Sequence, residues 1–197
     1  VRLVDDLLEV SRITSGRIEL EREHVGLDIV VANAVEASQP AIQAGHHHLE
    51  VSLPAAPVYL DADLTRLAQV LLNLLNNAAK YTPPQGRIAL TATQHDDWVS
   101  ISVCDNGIGI PADQLPRIFE LFVQLPRNAH HARGGLGIGL TPARQLTRLH
   151  GGELEARSGG PGRGSEFIVH LPVPPAPAGD VPGPGGGVKA EAQREPL

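Results

Sequence analysis

Methionine is absent from the 197 residues and the chain begins at Val1, so the expectation is a fragment or a chain whose start residue has been removed. A single cysteine, Cys104, excludes a disulfide within the chain and suits a reducing compartment. Aromatic residues make up 3%, so a core drawn from the 42% hydrophobic content must be aliphatic. No uninterrupted apolar run approaches the roughly 18 residues of a membrane span, and no signal peptide is visible. The chain is therefore expected to be cytoplasmic. Positive charge is also scarce. The net charge is -6, which argues against nucleic acid as the main partner because a phosphate backbone needs a basic surface. Any phosphate bound here must be held by a local device.

Hydrophobic periodicity divides what is present. Val1 to Thr14 reads as a helix with a broad apolar stripe, stopped by Ser15-Gly16. Arg17 to Glu21 is a short strand candidate, and Leu27 to Ala44 is a second helix, expected to be interrupted at Pro40. Strands are expected at 48–53 and 58–60. The clearest helix starts near Asp63, where Leu64, Leu67, Leu71, Leu74 and Ala78 keep one apolar face. Two strands follow at 87–93 and 98–104, with His95-Asp96-Asp97 as the turn. A long loop from Gly107 to Gly135, a helix reaching His150 and strands at 153–156 and 166–171 complete the pattern. After Pro172 the chain is mostly Pro, Gly and Ala, and is expected to be a disordered linker. Helices and antiparallel strands without regular alternation favour an α+β sandwich over a doubly wound parallel sheet.

Three stretches carry chemistry. On the helix from 63 to 81, Arg66, Gln69, Asn73, Asn77 and Lys80 fall on the face away from the leucines. Asparagine is a poor helix former, and its carbonyl oxygen can ligate a hard cation such as Mg²⁺. A lysine ammonium can neutralise phosphate oxygens. A solvated surface face fits the same residues. Asp105-Asn106-Gly107-Ile108-Gly109 follows an alternating strand. An ionised Asp there can accept the exocyclic amino group of adenine, and the glycines let backbone approach a flat base. A simple turn also fits. Third, Gly134-Gly135-Leu136-Gly137-Ile138-Gly139-Leu140 precedes a helix, where converging amides suit phosphate oxygens. It is neither a Walker A loop nor a Rossmann fingerprint.

In this order and at these distances the stretches resemble the ATP-binding domain of sensor histidine kinases, a superfamily shared with gyrase and mismatch-repair ATPases. Asn73-Leu74-Leu75-Asn76-Asn77-Ala78-Ala79-Lys80-Tyr81-Thr82 is similar to the family's asparagine box, and Asp105 to Ile110 to its first glycine box. Phe119-Glu120-Leu121-Phe122 resembles the phenylalanine box, and Gly135 to Leu140 the second glycine box. His150-Gly151-Gly152 and Gly162 to Phe167 also fit.

The resemblance implies a two-layer sandwich of helices on a mixed, largely antiparallel sheet, the Bergerat-type ATP-binding fold, with ATP and Mg²⁺ as cofactors. It implies that Asn77 ligates Mg²⁺, that Asn73 supports the metal and phosphate site, that Lys80 contacts phosphate and that Tyr81 packs beside the adenine. Asp105 is implied to bond the adenine amino group, with Gly107 and Gly109 making room for the base. Gly135, Gly137, Gly139 and Leu140 belong to the phosphate-side hinge of a lid spanning Pro111 to Gly134. Phe119 and Phe122 anchor that lid, and Arg133 is in reach of the phosphates.

Asp5 to Ile13 resembles the end of the second dimerisation helix of these kinases. The expected organisation is a dimerisation-helix remnant at 1–16, the ATP-binding catalytic domain at 17–172 and the tail at 173–197. The resemblance implies that the chain transfers the ATP γ-phosphoryl group to a histidine outside itself. The partners it implies are a dimerisation and phosphotransfer domain carrying that histidine, a response-regulator receiver domain and a second copy in a homodimer, with any membrane anchor lying upstream. Among nine histidines only His95 is followed by an acid, and it lacks the Leu-Arg-Thr-Pro sequel of a phosphoacceptor. His46-His47-His48 reads as a solvated turn rather than a metal site. Two other functions share the fold: a nucleotide-binding regulatory module without kinase activity, and a related serine kinase or ATPase. The dimerisation-helix remnant speaks against the second.

Overall fold

The computed structural model describes residues 19–120 and 140–175. Within these ranges the elements are β1 (Glu23–Gly26), α1 (Leu27–Ala44), β2 (His48–Ser52), β3 (Tyr59–Ala62), α2 (Leu64–Tyr81), β4 (Arg87–His95), β5 (Trp98–Asp105), α3 (Leu140–Leu149), β6 (Glu153–Arg157) and β7 (Ser165–Pro172). One 3-10 turn, Leu115–Arg117, interrupts the loop after β5. Five strands form one sheet in the order β2-β4-β5-β7-β6, with β2 parallel to β4 and every other pair antiparallel. β1 and β3 form a separate antiparallel ribbon. This is the expected α+β arrangement of helices on a largely antiparallel sheet.

Alternation decides which face of the sheet is covered. Ile88 and Leu90 on β4, Val99, Ile101 and Val103 on β5, and Phe167, Val169 and Leu171 on β7 are buried. Their alternate neighbours, such as Thr91, Ser100 and His170, are exposed or half-buried. The buried face meets α2 and α3, and α1 packs on α2. Helix α2 begins because Asp63 caps it: Oδ1 accepts the Arg66 N–H at 3.0 Å. A cap of this kind stabilises a helix by about 1 kcal/mol. Leu67, Val70, Leu71, Leu74, Leu75 and Ala78 then bury one face completely or nearly so. The core is aliphatic, as the scarcity of aromatics requires.

Three local expectations need correction. The first ribbon strand lies at Glu23–Gly26, and 19–21, the described part of the strand expected at 17–21, is not in a strand; pairing with β3 fixes the register so that Val25 and Leu60 both face inward. Pro40 does not interrupt α1, which runs unbroken to Ala44. Pro40 and Glu36, whose carbonyl loses its helical partner, are both exposed, so the break in the hydrogen-bond ladder falls on the solvent side of the helix. His46 and His48 are exposed as expected, but His47 is half-buried and its Nε2 lies 3.0 Å from the Ala79 carbonyl at the end of α2. The helix expected at 1–14 and the tail after residue 175 lie outside the described residues.

His150 joins the bases of two helices. Its Nε2 accepts the Asp63 N–H at 3.1 Å, so Nδ1 carries the proton and donates to the Leu146 carbonyl at 2.8 Å. The ring is 2% exposed. Burial lowers its pKa below the ordinary value, the Leu146 carbonyl opposes this and the Arg22 charge adds to it. The neutral ring is thus the folded form, and its contribution is present above the unfolded pKa of about 6.5 and is lost as pH falls below it. The thermal midpoint of the wild type should exceed that of His150→Gln most at about pH 8, and the gap should shrink toward about pH 5. A gap constant across that range would show that protonation of this ring does not matter to stability.

Candidate functional site

The face of α2 opposite the leucines opens onto a cleft. Asn77 and Tyr81 line it from the helix, and Ile108, Gly109 and Ile110 from the loop after β5. Ile118, Leu140, Ser165 and Phe167 complete the wall. Of the expected site residues, Asn77, Tyr81, Gly109 and Leu140 therefore share one cavity. Asn73, one turn before Asn77, is half-buried and already engaged. The Lys80 ammonium is not part of the wall; it rests 4.8 Å from the centre of the Tyr81 ring. Arg133, Gly135, Gly137, Gly139 and Phe122 lie outside the described residues. Phe119 does pack on the core; its carbonyl accepts the Thr141 hydroxyl at 2.8 Å and its ring lies 4.9 Å from the Arg144 guanidinium.

Asp105 closes β5 behind the cleft and is 6% exposed. Its Oδ1 accepts the Gly107 N–H at 2.8 Å, and its Oδ2 accepts the Ser165 hydroxyl at 2.6 Å. Each carboxylate oxygen keeps a second lone pair, so a ligand amino group can still be accepted. The following loop is clipped on both sides. Asn106 receives the Arg87 N–H on its side-chain oxygen at 2.8 Å, and its own N–H reaches the Arg87 carbonyl at 3.2 Å. Ile108 donates to the Tyr81 carbonyl at 3.0 Å, tying the loop to the last turn of α2. Gly109 has φ of 70°, and a β-carbon there would strike the Gly160 carbonyl oxygen. Only glycine adopts this conformation cheaply.

A divalent cation fits one donor of this set. Asn77 presents a side-chain amide at the cleft wall, and among the described residues no three His, Cys, Asp or Glu gather around a common point. A cation bound beside Asn77 would find no such cluster among the described residues, and Mg²⁺ commonly takes phosphate oxygens and water as its further ligands. Cys104 points to the other face of the sheet. Burial first, then the Glu166 and Asp105 carboxylates, raise its pKa, so the thiol is a poor nucleophile.

Sequence reasoning did not assign Ser165, Ile108, Ile110, Ile118 or Phe167 to the site. Ser165 lies beside Asp105 because β5 and β7 pair in that register across sixty positions. No local pattern reports that pairing, although Ser165 follows the Gly162-Arg163-Gly164 motif directly. Ile108 and Ile110 stand within the first glycine box, but their side chains carry no expected ligand role, and only the cavity brings them together with Ile118 and Phe167.

Helices on one largely antiparallel sheet, with an apolar cleft lined by Asn77 and Tyr81 of α2 and by the glycine loop after β5, are the architecture of a two-layer ATP-binding domain. Residues 62–175 match the family of histidine kinase-, DNA gyrase B- and HSP90-like ATPases, and the chain belongs to that family. The alginate biosynthesis sensor protein KinB of Pseudomonas aeruginosa is 38% identical over 173 residues, which are 88% of this chain and 28% of that protein. The circadian input-output histidine kinase CikA of Synechococcus elongatus is 34% identical over 174 residues, 87% of this chain and 23% of that protein. The chain thus spans less than a third of the length of these relatives. Among solved structures, full-length ShkA in complex with AMPPNP superposes with a TM-score of 0.75 at 32% identity, covering 89% of this chain and 36% of that one. The mycobacterial sensor histidine kinase MprB gives 0.67 at 28% identity, covering 79% and 99%. The chain is the catalytic ATP-binding domain found in sensor histidine kinases.

Gly109→Ala tests the cleft directly. A side chain at this φ, directed at the Gly160 carbonyl, costs roughly 1–3 kcal/mol or forces the loop to move. Binding of a nonhydrolysable ATP analogue, followed by calorimetry, should weaken at least about tenfold. Unchanged affinity would mean that the Ile108–Ile110 loop does not shape the ligand site.

Proposed function

We propose that this domain binds Mg²⁺-ATP and passes the γ-phosphoryl group to a histidine on a dimerisation and phosphotransfer domain outside this chain. The observation that carries the reading is one cleft that Asn77 and Tyr81 of α2 share with Gly109 and with Ser165, whose hydroxyl bonds the buried Asp105 carboxylate behind it. In this reading Asp105 accepts the adenine amino group and Tyr81 packs beside the ring. Gly107 and Gly109 let the base approach. Asn77 ligates Mg²⁺, Asn73 supports it, and Lys80 leaves the Tyr81 ring to meet phosphate. Arg133 and the glycines 135, 137 and 139 serve the phosphate side, with Leu140 at the hinge.

The reaction is a displacement at phosphorus. A histidine ring nitrogen forms the new bond to the γ-phosphorus, the bond to the β–γ bridging oxygen breaks, and ADP leaves. Such transfers depend on positioning and on neutralising charge. Asn77 would hold a Mg²⁺ that offsets phosphate charge, Lys80 would add its own positive charge, and the acceptor supplies the nucleophile. We further propose the domain limits 1–16, 17–172 and 173–197, a cytoplasmic location, homodimerisation of the full protein and a response-regulator receiver domain as the next partner in the relay.

Asn77→Ala should lower the affinity for Mg²⁺-ATP about tenfold or more, the loss of one charge-assisted metal contact, while the fold survives because Asn77 is not on the leucine face. Equal Mg²⁺-ATP affinity in a folded variant, read by calorimetric titration, would sink the metal assignment.

The chain alone should not label itself with γ-labelled ATP. His95 closes the β4–β5 hairpin opposite Trp98, whereas Asp105 pairs with Ile88 at the other end of the same ladder. Seven residues at about 3.3 Å each separate the two ends by roughly 23 Å. Transfer needs the nucleophile about 3–3.5 Å from phosphorus. A separately supplied dimerisation domain should restore slow labelling, slow because the tether is lost. Acid-labile label on the chain by itself would contradict the proposed acceptor.

A further inference from the structure

The loop between β6 and β7 is rich in glycine. Four glycines lie between 159 and 164, and Gly160, Gly162 and Gly164 have φ of 102°, 75° and 69°. Such a stretch holds one shape only if something outside its own torsions fixes it. Two backbone bonds lay it along the glycine loop after β5: Gly162 donates to the Ile108 carbonyl at 2.7 Å, and Gly164 to the Gly107 carbonyl at 3.1 Å. The third tie is a side chain. The Ser158 hydroxyl donates to the Gly164 carbonyl at 2.6 Å and accepts the N–H of Ile110 at 2.9 Å and of Gly160 at 3.2 Å. A hydroxyl has one proton and two lone pairs, and here all three are used on backbone.

We propose that Ser158 is a positioning residue for base recognition. It touches no ligand. By locking Ile110 to the β6–β7 loop it holds the Ile108–Ile110 wall in place. By locking Gly164 it also sets the residue that follows, Ser165, whose hydroxyl bonds the Asp105 carboxylate. Removal of this one hydroxyl leaves three backbone groups without their partner, and two of them, at Ile110 and Gly164, belong to buried residues. The nearest way to satisfy them is to let the glycine-rich loop slip, and the slip moves both walls of the base site together. The inference rests on the adenine reading proposed above.

The test is calorimetric titration of the full chain with nonhydrolysable ATP and GTP analogues, for wild type, Ser158→Ala, Ser158→Cys and Ser158→Thr, with a thermal midpoint for each. Wild type should prefer the ATP analogue. Ser158→Ala should bind it about tenfold more weakly and lose most of that preference, and Ser158→Thr, which keeps a hydroxyl, should recover both. If Ser158→Ala does not fold, Ser158→Cys, of similar volume but weak in hydrogen bonding, should show the same loss. A wild type that binds both analogues equally overturns the adenine reading, and this inference with it. Wild-type preference retained in Ser158→Ala or Ser158→Cys overturns the inference alone. So does a loss of affinity that leaves the ATP-to-GTP ratio unchanged, because that marks a merely structural role.

Discussion

The cleft depends on the pairing of β5 with β7. The antiparallel register sets Asp105 opposite Ser165, and that single pairing brings a carboxylate and a hydroxyl separated by sixty positions to 2.6 Å. Without it the carboxylate would be buried with one oxygen unpartnered, at a cost of several kcal/mol. The same register delivers Gly164 to the Gly107 carbonyl, so the two glycine loops lie side by side. A shift of one residue would send Phe167, Val169 and Leu171 to the open face and destroy the core that α2 and α3 cover. The hydrophobic pattern of β7 therefore guards the polar geometry at its start.

Helix α2 divides stability and chemistry between two faces. The leucine face is fully buried, and truncating one of those leucines costs about 2–5 kcal/mol. The other face carries Asn73, Asn77 and Tyr81, which are half-buried and contribute little to the core. The division lets a poor helix former such as Asn persist, because the aliphatic packing and the Asp63 cap outweigh the propensity loss of roughly half a kcal/mol per Asn. The lower end of the same helix is held by His150 and the upper end by the Ile108 amide, so the functional face is fixed along its whole length.

The fold class and most elements follow from periodicity alone, since α2, β4, β5, α3 and β7 each have a long amphipathic or alternating pattern. The errors fall where the signal is short or set from elsewhere. The four residues of β1 take their register from β3, and Pro40 reads as a helix breaker until the solvent exposure of Glu36 is known. At the site, Asn77 is visible because asparagine is costly in a plain helix, whereas Gly109 also fits an ordinary turn and Tyr81 is reached only through the resemblance to the family. Ser165 and Ser158 are not visible, because serine is cheap anywhere on a surface. Their importance comes from partners that only the folded chain assembles.

The charge balance sets a last constraint. A chain of net charge -6 offers no long-range attraction to a triphosphate, which carries a similar sign. Favourable contact must therefore come from within a few ångströms, where a cation, amides and one or two basic side chains outweigh the distant repulsion, screened over about 8 Å at physiological salt. In the proposed reading the asparagine face of α2 would supply such a cation with one neutral oxygen ligand and add no negative charge. A carboxylate in its place would hold a free metal better, but it would repel the phosphates whenever the metal is absent. With a neutral ligand the proposed metal and the nucleotide would depend on each other, because each would lend the other partners. The separation of tasks is then complete: Asp105, braced by Ser165, holds charge at the base end of the proposed site, where an amino group can meet it, and the phosphate end keeps neutral donors for a cation that arrives with the nucleotide.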